Sequence, residues 1–179
     1  MKNWLKNRRF YKMLTKNFYS CLRARLGESA TVPITETDGN FRANGGFDKF
    51  APVLPFYAMN QYSSSDTNVG TCFGSGSTPA TVDDYRLEQR IDSGISVTTQ
   101  TRASCTSTET YMEYSATFGV TNTGTEDKTI AEIGLIISGS RADYSTRVLV
   151  DRTVLDEPIT IPAGESKQIT YTIRFNFGV

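Results

Sequence analysis

From Gly94 onward, hydrophobic and polar residues alternate with a period of two in one stretch after another. Residues 109–121 show it most clearly. Met112, Tyr114, Ala116, Phe118 and Val120 fall on one side, and Tyr111, Glu113, Ser115, Thr117 and Gly119 on the other. A two-residue period belongs to a strand with one buried face, so the Met112–Val120 side is expected to line a core. Further strands are expected at 94–104, 128–138, 146–153 and 167–177, with Asn122-Thr123-Gly124 and Pro162-Ala163-Gly164 as turns. Within 128–138 the residues Ile130, Ile133, Leu135, Ile136 and Ile137 leave little polar surface, so this strand is expected to be buried, with Gly134 as a bulge. Five or more such strands joined by short turns predict a mainly β fold, an antiparallel β-sandwich of Ig-like or jelly-roll-like type.

The period changes toward the N-terminus. Tyr11, Leu14, Phe18, Leu22 and Leu26 recur at steps of three or four, and Phe10, Leu14, Phe18 and Leu22 form a second row at steps of four. Both rows share one broad face, no Gly or Pro interrupts, and Gly27 stands where a C-terminal cap would. Residues 3–26 therefore read as an amphipathic helix. Between helix and strands the chain is rich in turns, with Thr37-Asp38-Gly39-Asn40 and Asn44-Gly45-Gly46 as the strongest signals. Pro52 and Pro55 in the aromatic stretch 47–59 argue for an extended arm rather than a central strand. Short strands are expected at 53–59 and 69–73, and a short capped helix or turn at 81–88. The expected organisation is 1–26 basic anchoring helix, 27–89 irregular arm and 90–179 β-sandwich domain.

Charge sharpens this division. The 179-residue chain has 19 basic and 19 acidic side chains, but residues 1–26 hold eight of the basic ones and no acid. A basic helix with an aromatic face suits docking into an assembly, through Trp4, Phe10, Leu14, Phe18 and Leu22, with Phe50 and Phe56 on the arm as further anchors. Packing on its own domain is the plainer alternative. Nucleic acid and acidic membrane are less favoured partners. If the helix is an external anchor, removing residues 1–26 leaves a folded β-domain. No apolar run reaches the roughly 20 residues needed to span a bilayer.

Candidate chemistry is sparse. There is no histidine, the commonest general base and metal ligand. Cys21, Cys72 and Cys105 are widely spaced and form no CxxC pair, so three reduced thiols are expected and a Cys72–Cys105 bridge has no sequence support. Asp83, Asp84 and Glu88 are the best carboxylate group, read chiefly as caps; a cleft gathering them with a further acid would instead favour an enzyme. Gly70–Gly76 lacks a Walker lysine, so it reads as a hairpin or surface loop. Arg152 is expected to pair with Asp151 or Asp156. No catalytic residue, cofactor or metal ligand is assigned. Strand aromatics such as Tyr111, Tyr114, Tyr171 and Phe175 leave open a sugar-binding or host-surface-binding face.

Three stretches together resemble small virion proteins of tailed bacteriophages. They are Gly74-Ser75-Gly76-Ser77-Thr78-Pro79-Ala80-Thr81-Val82-Asp83-Asp84-Tyr85-Arg86-Leu87, the strand Ile130–Ile136 with Glu132-Ile133-Gly134-Leu135, and Leu149–Ser166 leading to Ile169-Thr170-Tyr171-Thr172-Ile173. The resemblance covers roughly residues 74–179. It implies a non-enzymatic structural component of a phage particle, made in the host cytoplasm and located in the virion. Its partners would be other virion proteins and copies of itself. Tail, neck or fibre attachment ranks first; head decoration, or a carbohydrate- or host-surface-binding module, is the alternative. The N-terminal helix lies outside the match.

Overall fold

The computed structural model describes residues 11–25, 33–42, 58–65, 68–141 and 144–176. Its main elements are two antiparallel sheets. One has the order β1 (Tyr11–Leu14), β8 (Tyr144–Ile161), β7 (Lys128–Arg141), β4 (Gly70–Gly74); the other has the order β5 (Ile95–Ser107), β6 (Tyr111–Asn122), β9 (Ser166–Asn176). A small hairpin of β2 (Ile34–Thr35) and β3 (Phe41–Arg42) and one helix, α1 (Lys16–Arg25), complete them. The mainly β, antiparallel character expected from the alternation is what the chain adopts.

One hydrophobic cluster joins the sheets. Phe118, Val120 and Ala116 of β6 and Ile169, Tyr171 and Ile173 of β9 meet Phe73, Ile133, Leu135, Val148 and Val150 from the other sheet. Phe73 and Phe118 touch edge to face at 5.8 Å. Each fully buried side chain of this size contributes about 1.5–3 kcal/mol relative to exposure. The β6 face expected to be inward is the inward one. The turns also fall where Gly, Asn and Asp place them. Gly39 and Gly164 take positive φ of 89° and 75°, and the Asn122 side chain caps its own turn, accepting the Gly124 N–H at 2.9 Å.

Two irregularities set which residues face where. Leu135 pairs with Asp151 but Ile136 pairs with Leu149, so Val150 is an extra residue in β8. Such a bulge resets the alternation. Val150 and Asp151 thus both serve the inner side, while Leu149 and Arg152 lie on the outer one. The expected bulge at Gly134 is absent: Gly134 sits in register opposite Arg152, and the irregularities fall in β8 instead, at Val150 and at residues 155–158, which the register passes over between Ile130 and Glu132. Strand β8 is also continuous through Pro158 to Ile161, longer than the 146–153 expected.

The N-terminal region departs from the sequence reading. Residues 11–14 form a strand, not a helix, because β8 offers them an edge: Tyr11 pairs with Val154 and Leu14 with Asp151. Ladder bonds to an existing sheet outweigh a marginal local helix. The helix that remains, α1, packs on its own domain. Thr15 is fully buried and donates its hydroxyl to the Leu149 carbonyl at 2.6 Å, Cys21 belongs to the central cluster, and Asn17 and Thr35 exchange two hydrogen bonds of 2.8 and 3.0 Å. β4, from the supposed arm, is an edge strand of the same sheet. Described residues from all three expected segments thus meet in one sheet and one core.

Candidate functional site: a buried arginine ringed by carboxylates

The outer face of the β1-β8-β7-β4 sheet carries Glu132 and Arg152, both buried. They sit two positions apart across the β7–β8 ladder, since Arg152 pairs with Gly134 and Glu132 with Val154. The segment from Ser75 to Arg90 runs over this face. Ser75 N–H bonds the Gln89 carbonyl at 2.7 Å and Ile91 N–H bonds the Phe73 carbonyl at 2.9 Å.

Glycine makes this crossing possible. A Cβ on Gly74 would collide with the Glu132 carboxylate and the Gln89 carbonyl, and one on Gly76 would lie 2.5–2.6 Å from Glu88 and Glu132. At Gly134 an added Cβ would come within 2.9 Å of Leu149 and Leu87. These glycines are spacing devices for a chain that lies directly on carboxylates. Leu87 fills the rest of the gap, packed with Cys72, Ile136 and Leu149.

Glu132 accepts from four donors: Arg152 Nε at 2.7 Å, Gln89 N at 2.8 Å, Glu88 N at 3.1 Å and Gly76 N at 3.2 Å. Arg152 spends its other N–H groups on Asp84 at 2.8 Å, the Thr78 carbonyl at 3.2 Å and Glu88 at 3.5 Å. Asp84 also accepts from Thr81 N and Oγ1 at 2.9 and 2.8 Å. Glu88 accepts from Thr78 N and Oγ1 at 2.9 and 2.8 Å. Three carboxylates thus share one guanidinium, and backbone N–H groups supply the remaining positive potential.

The titration behaviour follows from these contacts. Burial raises the Asp84 carboxyl, but hydrogen bonds from Arg152 and Thr81 outweigh it and hold the group below its ordinary range. Hydrogen bonds from Thr78 keep Glu88 low as well. For Arg152, burial opposes the charge, yet Asp84 and Glu132 hold its pKa above the usual value.

A second polar group lies on the inner face. Asp151 accepts the Tyr171 hydroxyl and, at 3.1 Å, that of Thr153, all three being buried between the sheets. Burial first, then the Asp151 charge, pushes the Tyr171 phenol well above its ordinary value.

Each carboxylate of the outer cluster is occupied by donors of its own fold. Glu132, at 0% side-chain exposure, turns its lone pairs inward, while Asp84 and Glu88 keep an exposed edge of 19% and 32%. Among the described residues no group of three or more His, Cys, Asp or Glu side chains is arranged to hold a metal. The cluster acts as a staple between the 75–90 segment and the sheet.

Of the residues expected from sequence, Asp84 and Glu88 do gather with a further acid, Glu132, around a partner that local reading missed. Arg152 pairs with neither Asp151 nor Asp156 but with Asp84, Glu88 and Glu132. Asp83 instead pairs with Lys16 at the start of α1. No helix forms over 81–88; Asp84 caps a turn at Thr81. The three cysteines are free, Cys21 and Cys72 buried and Cys105 exposed. Among the docking residues, Phe18 stacks on Phe175 at 6.0 Å within its own domain. Leu14 is half-buried in β1 and Leu22 lies in α1. Trp4, Phe10, Phe50 and Phe56 lie outside the described residues.

No protein-family model matches the chain, and no curated protein or solved structure proved significantly similar to it.

Proposed function

We propose that the chain is a non-enzymatic structural component of a tailed-phage particle. The observation that carries this reading is where the three virion-like stretches meet. They are far apart in sequence, yet Thr78 and Asp84 come from the first, Glu132 from the second and Arg152 from the third, and these residues bond one another. Stretches arranged for chemistry would converge on an open cleft; these converge on an internal staple, as suits a module whose task is to keep its shape. The two facing antiparallel sheets are read as an Ig-like or jelly-roll-like sandwich.

Attachment is assigned to the N-terminal side. The large exposed apolar side chains among the described residues are Tyr19, Phe41 and Val82. Tyr19 is on α1, Phe41 pairs with the strand that α1 binds, and the Val82 carbonyl accepts the Lys16 N–H at 2.7 Å. Docking into neighbouring virion subunits would use this rim, while the inner side of α1 serves its own domain. Tail, neck and fibre attachment remain the preferred sites, ahead of head decoration.

The test is quantitative mass spectrometry of purified particles, with immunogold labelling by an antibody to the chain. A fixed copy number per particle and labelling at one location are expected. Recovery of the protein only in the soluble lysate, never with particles, would sink the proposal.

A further inference from the structure

The outward face of the β5-β6-β9 sheet is a lattice of hydroxyl groups. On β6 and β9, Ser115 and Thr172, Thr117 and Thr170, and Thr121 and Ser166 stand directly opposite each other and hydrogen-bond across the strands at 3.0, 3.0 and 2.7 Å. Strand β5 widens each row to three, since Ser104, Thr101 and Ser96 pair with Ser115, Thr117 and Thr121. Where a hydroxyl is missing, at Gly119, Gln100 lies over the gap and its Oε1 accepts from Gln168 at 2.5 Å. Strand spacing puts neighbouring hydroxyls about 4.8 Å apart across the face and about 6.8 Å apart along it.

We infer that this face binds a neutral carbohydrate chain. Each Ser or Thr hydroxyl has one donor and two lone pairs. A cross-strand pair uses one donor and one lone pair, which leaves one donor and three lone pairs for a ligand at Thr117/Thr170 and at Thr121/Ser166, while at Ser115/Thr172 the second donor already goes to Glu113 Oε1 at 3.3 Å. Sugar hydroxyls offer the same dual character, so a polyol can satisfy both kinds of vacancy at once. The internal bonds also hold the side chains in place before any ligand arrives, which lowers the ordering cost of binding.

Charge decides against other occupants. The charged outward residues of β6 and β9 are Glu113 and Arg174, and they neutralise each other at 2.6–2.8 Å. Arg174 also lies flat over the Tyr111 ring, 4.2 Å from its centroid. A nucleic acid would need a larger excess of positive charge than the one exposed cation of β5, Arg102, supplies. A protein partner would need aromatic or aliphatic anchors, and Ser and Thr are poor ones. The inference goes beyond the structural role proposed above and does not depend on it: a particle component and a free protein would carry the same face.

The probe is a panel of neutral hexose and N-acetylhexosamine oligosaccharides, with sialylated and sulfated oligosaccharides as the charged arm, read on an array and by amide chemical-shift titration of the full chain. Binding to neutral members with dissociation constants in the ~0.1–10 mM range is expected. Thr117→Val combined with Thr170→Val keeps the β-branched shape and removes two hydroxyls, and should weaken binding at least ~10-fold, about 1.4 kcal/mol. Thr129→Val with Thr160→Val removes an equivalent hydroxyl pair, 3.3 Å apart, on the other sheet and should leave binding unchanged. If the first double variant does not fold, the shift map of the wild-type chain decides: perturbations centred on β6 and β9 around Thr117 and Thr170 support the site. Three results would overturn it: no neutral ligand shifting any amide at about 10 mM, binding that survives the Thr117/Thr170 change, or binding confined to the charged oligosaccharides.

Discussion

Replacing Arg152 with Met is the most informative single perturbation, because it removes the charge at the centre of the staple and keeps an unbranched side chain. Arg152 gives short ionic hydrogen bonds to Glu132 at 2.7 Å and Asp84 at 2.8 Å, and longer ones to Thr78 and Glu88. Ionic hydrogen bonds are worth about 1.5–3 kcal/mol each. The Asp84 and Glu88 side chains retain 19% and 32% exposure and can rehydrate; the Glu132 side chain, at 0%, cannot. The loss is therefore dominated by one buried carboxylate left without its counter-charge, about 3–5 kcal/mol. For a chain of this size that corresponds to a fall in Tm of roughly 6–20 °C. Adding Glu132→Gln to the same chain removes the stranded charge and leaves an amide oxygen to accept from Gly76 and Gln89. The double variant is expected to recover at least about 1 kcal/mol relative to Arg152→Met alone. Thermal and urea unfolding followed by circular dichroism measure both. A single variant within about 1 kcal/mol of wild type, or a double variant no better than the single, would refute the account of the cluster as a buried, mutually dependent network.

Further outcomes follow from other contacts. Deleting residues 1–26 removes the β1–β8 pairing, the buried Thr15 and the core contribution of Cys21, so Tm should drop by at least ~10 °C in a differential scanning experiment; an unchanged Tm would show that this segment is an external anchor after all. With a thiol reagent, Cys105 should react at once, and Cys21 and Cys72 only as the chain unfolds, since both are buried and burial pushes the Cys21 thiol up to about 12. Asp84 and Glu88 are held below their ordinary 3.8 and 4.5 in the folded chain, so the stability they lend is whole above about pH 4.5 and is lost as pH falls further. Tyr171 and Cys21 are raised above 10.0 and 9.0, so theirs is whole below about pH 9 and lost as pH rises. Urea midpoints across the pH range should trace a plateau with both edges, and a midpoint still climbing beyond about pH 10 would contradict the alkaline one.

Much of the sheet architecture is written locally. The inward row Met112–Val120, the turns at Asn122 and Pro162, and the strand limits of β5, β6 and β9 come from two-residue alternation and turn chemistry, which act between near neighbours. The start of the chain misleads for the same reason. Leu14 and Phe18 keep a helical spacing, but the fate of residues 11–14 is set by the β8 edge, some 140 positions later. The staple is similar. Glu132 did carry a signal, a lone acid inside the apolar run Ile130–Ile137, which a fold tolerates only when the charge is paired. Nothing near it in sequence names Arg152, Asp84 or the glycines that let the chain approach.

The bulge at Val150 has a mechanical consequence. Adjacent strand residues point to opposite sides, and the extra residue decides which way this pair is turned, Asp151 inward and Arg152 outward. Tension applied to the 75–90 segment enters β8 through the Arg152 side chain and leaves, one peptide unit away, through Asp151 to Tyr171 in the opposite sheet. Beside the bonds to Glu132 in β7, residues 151 and 152 of β8 thus link the overlying segment to both layers across one peptide unit.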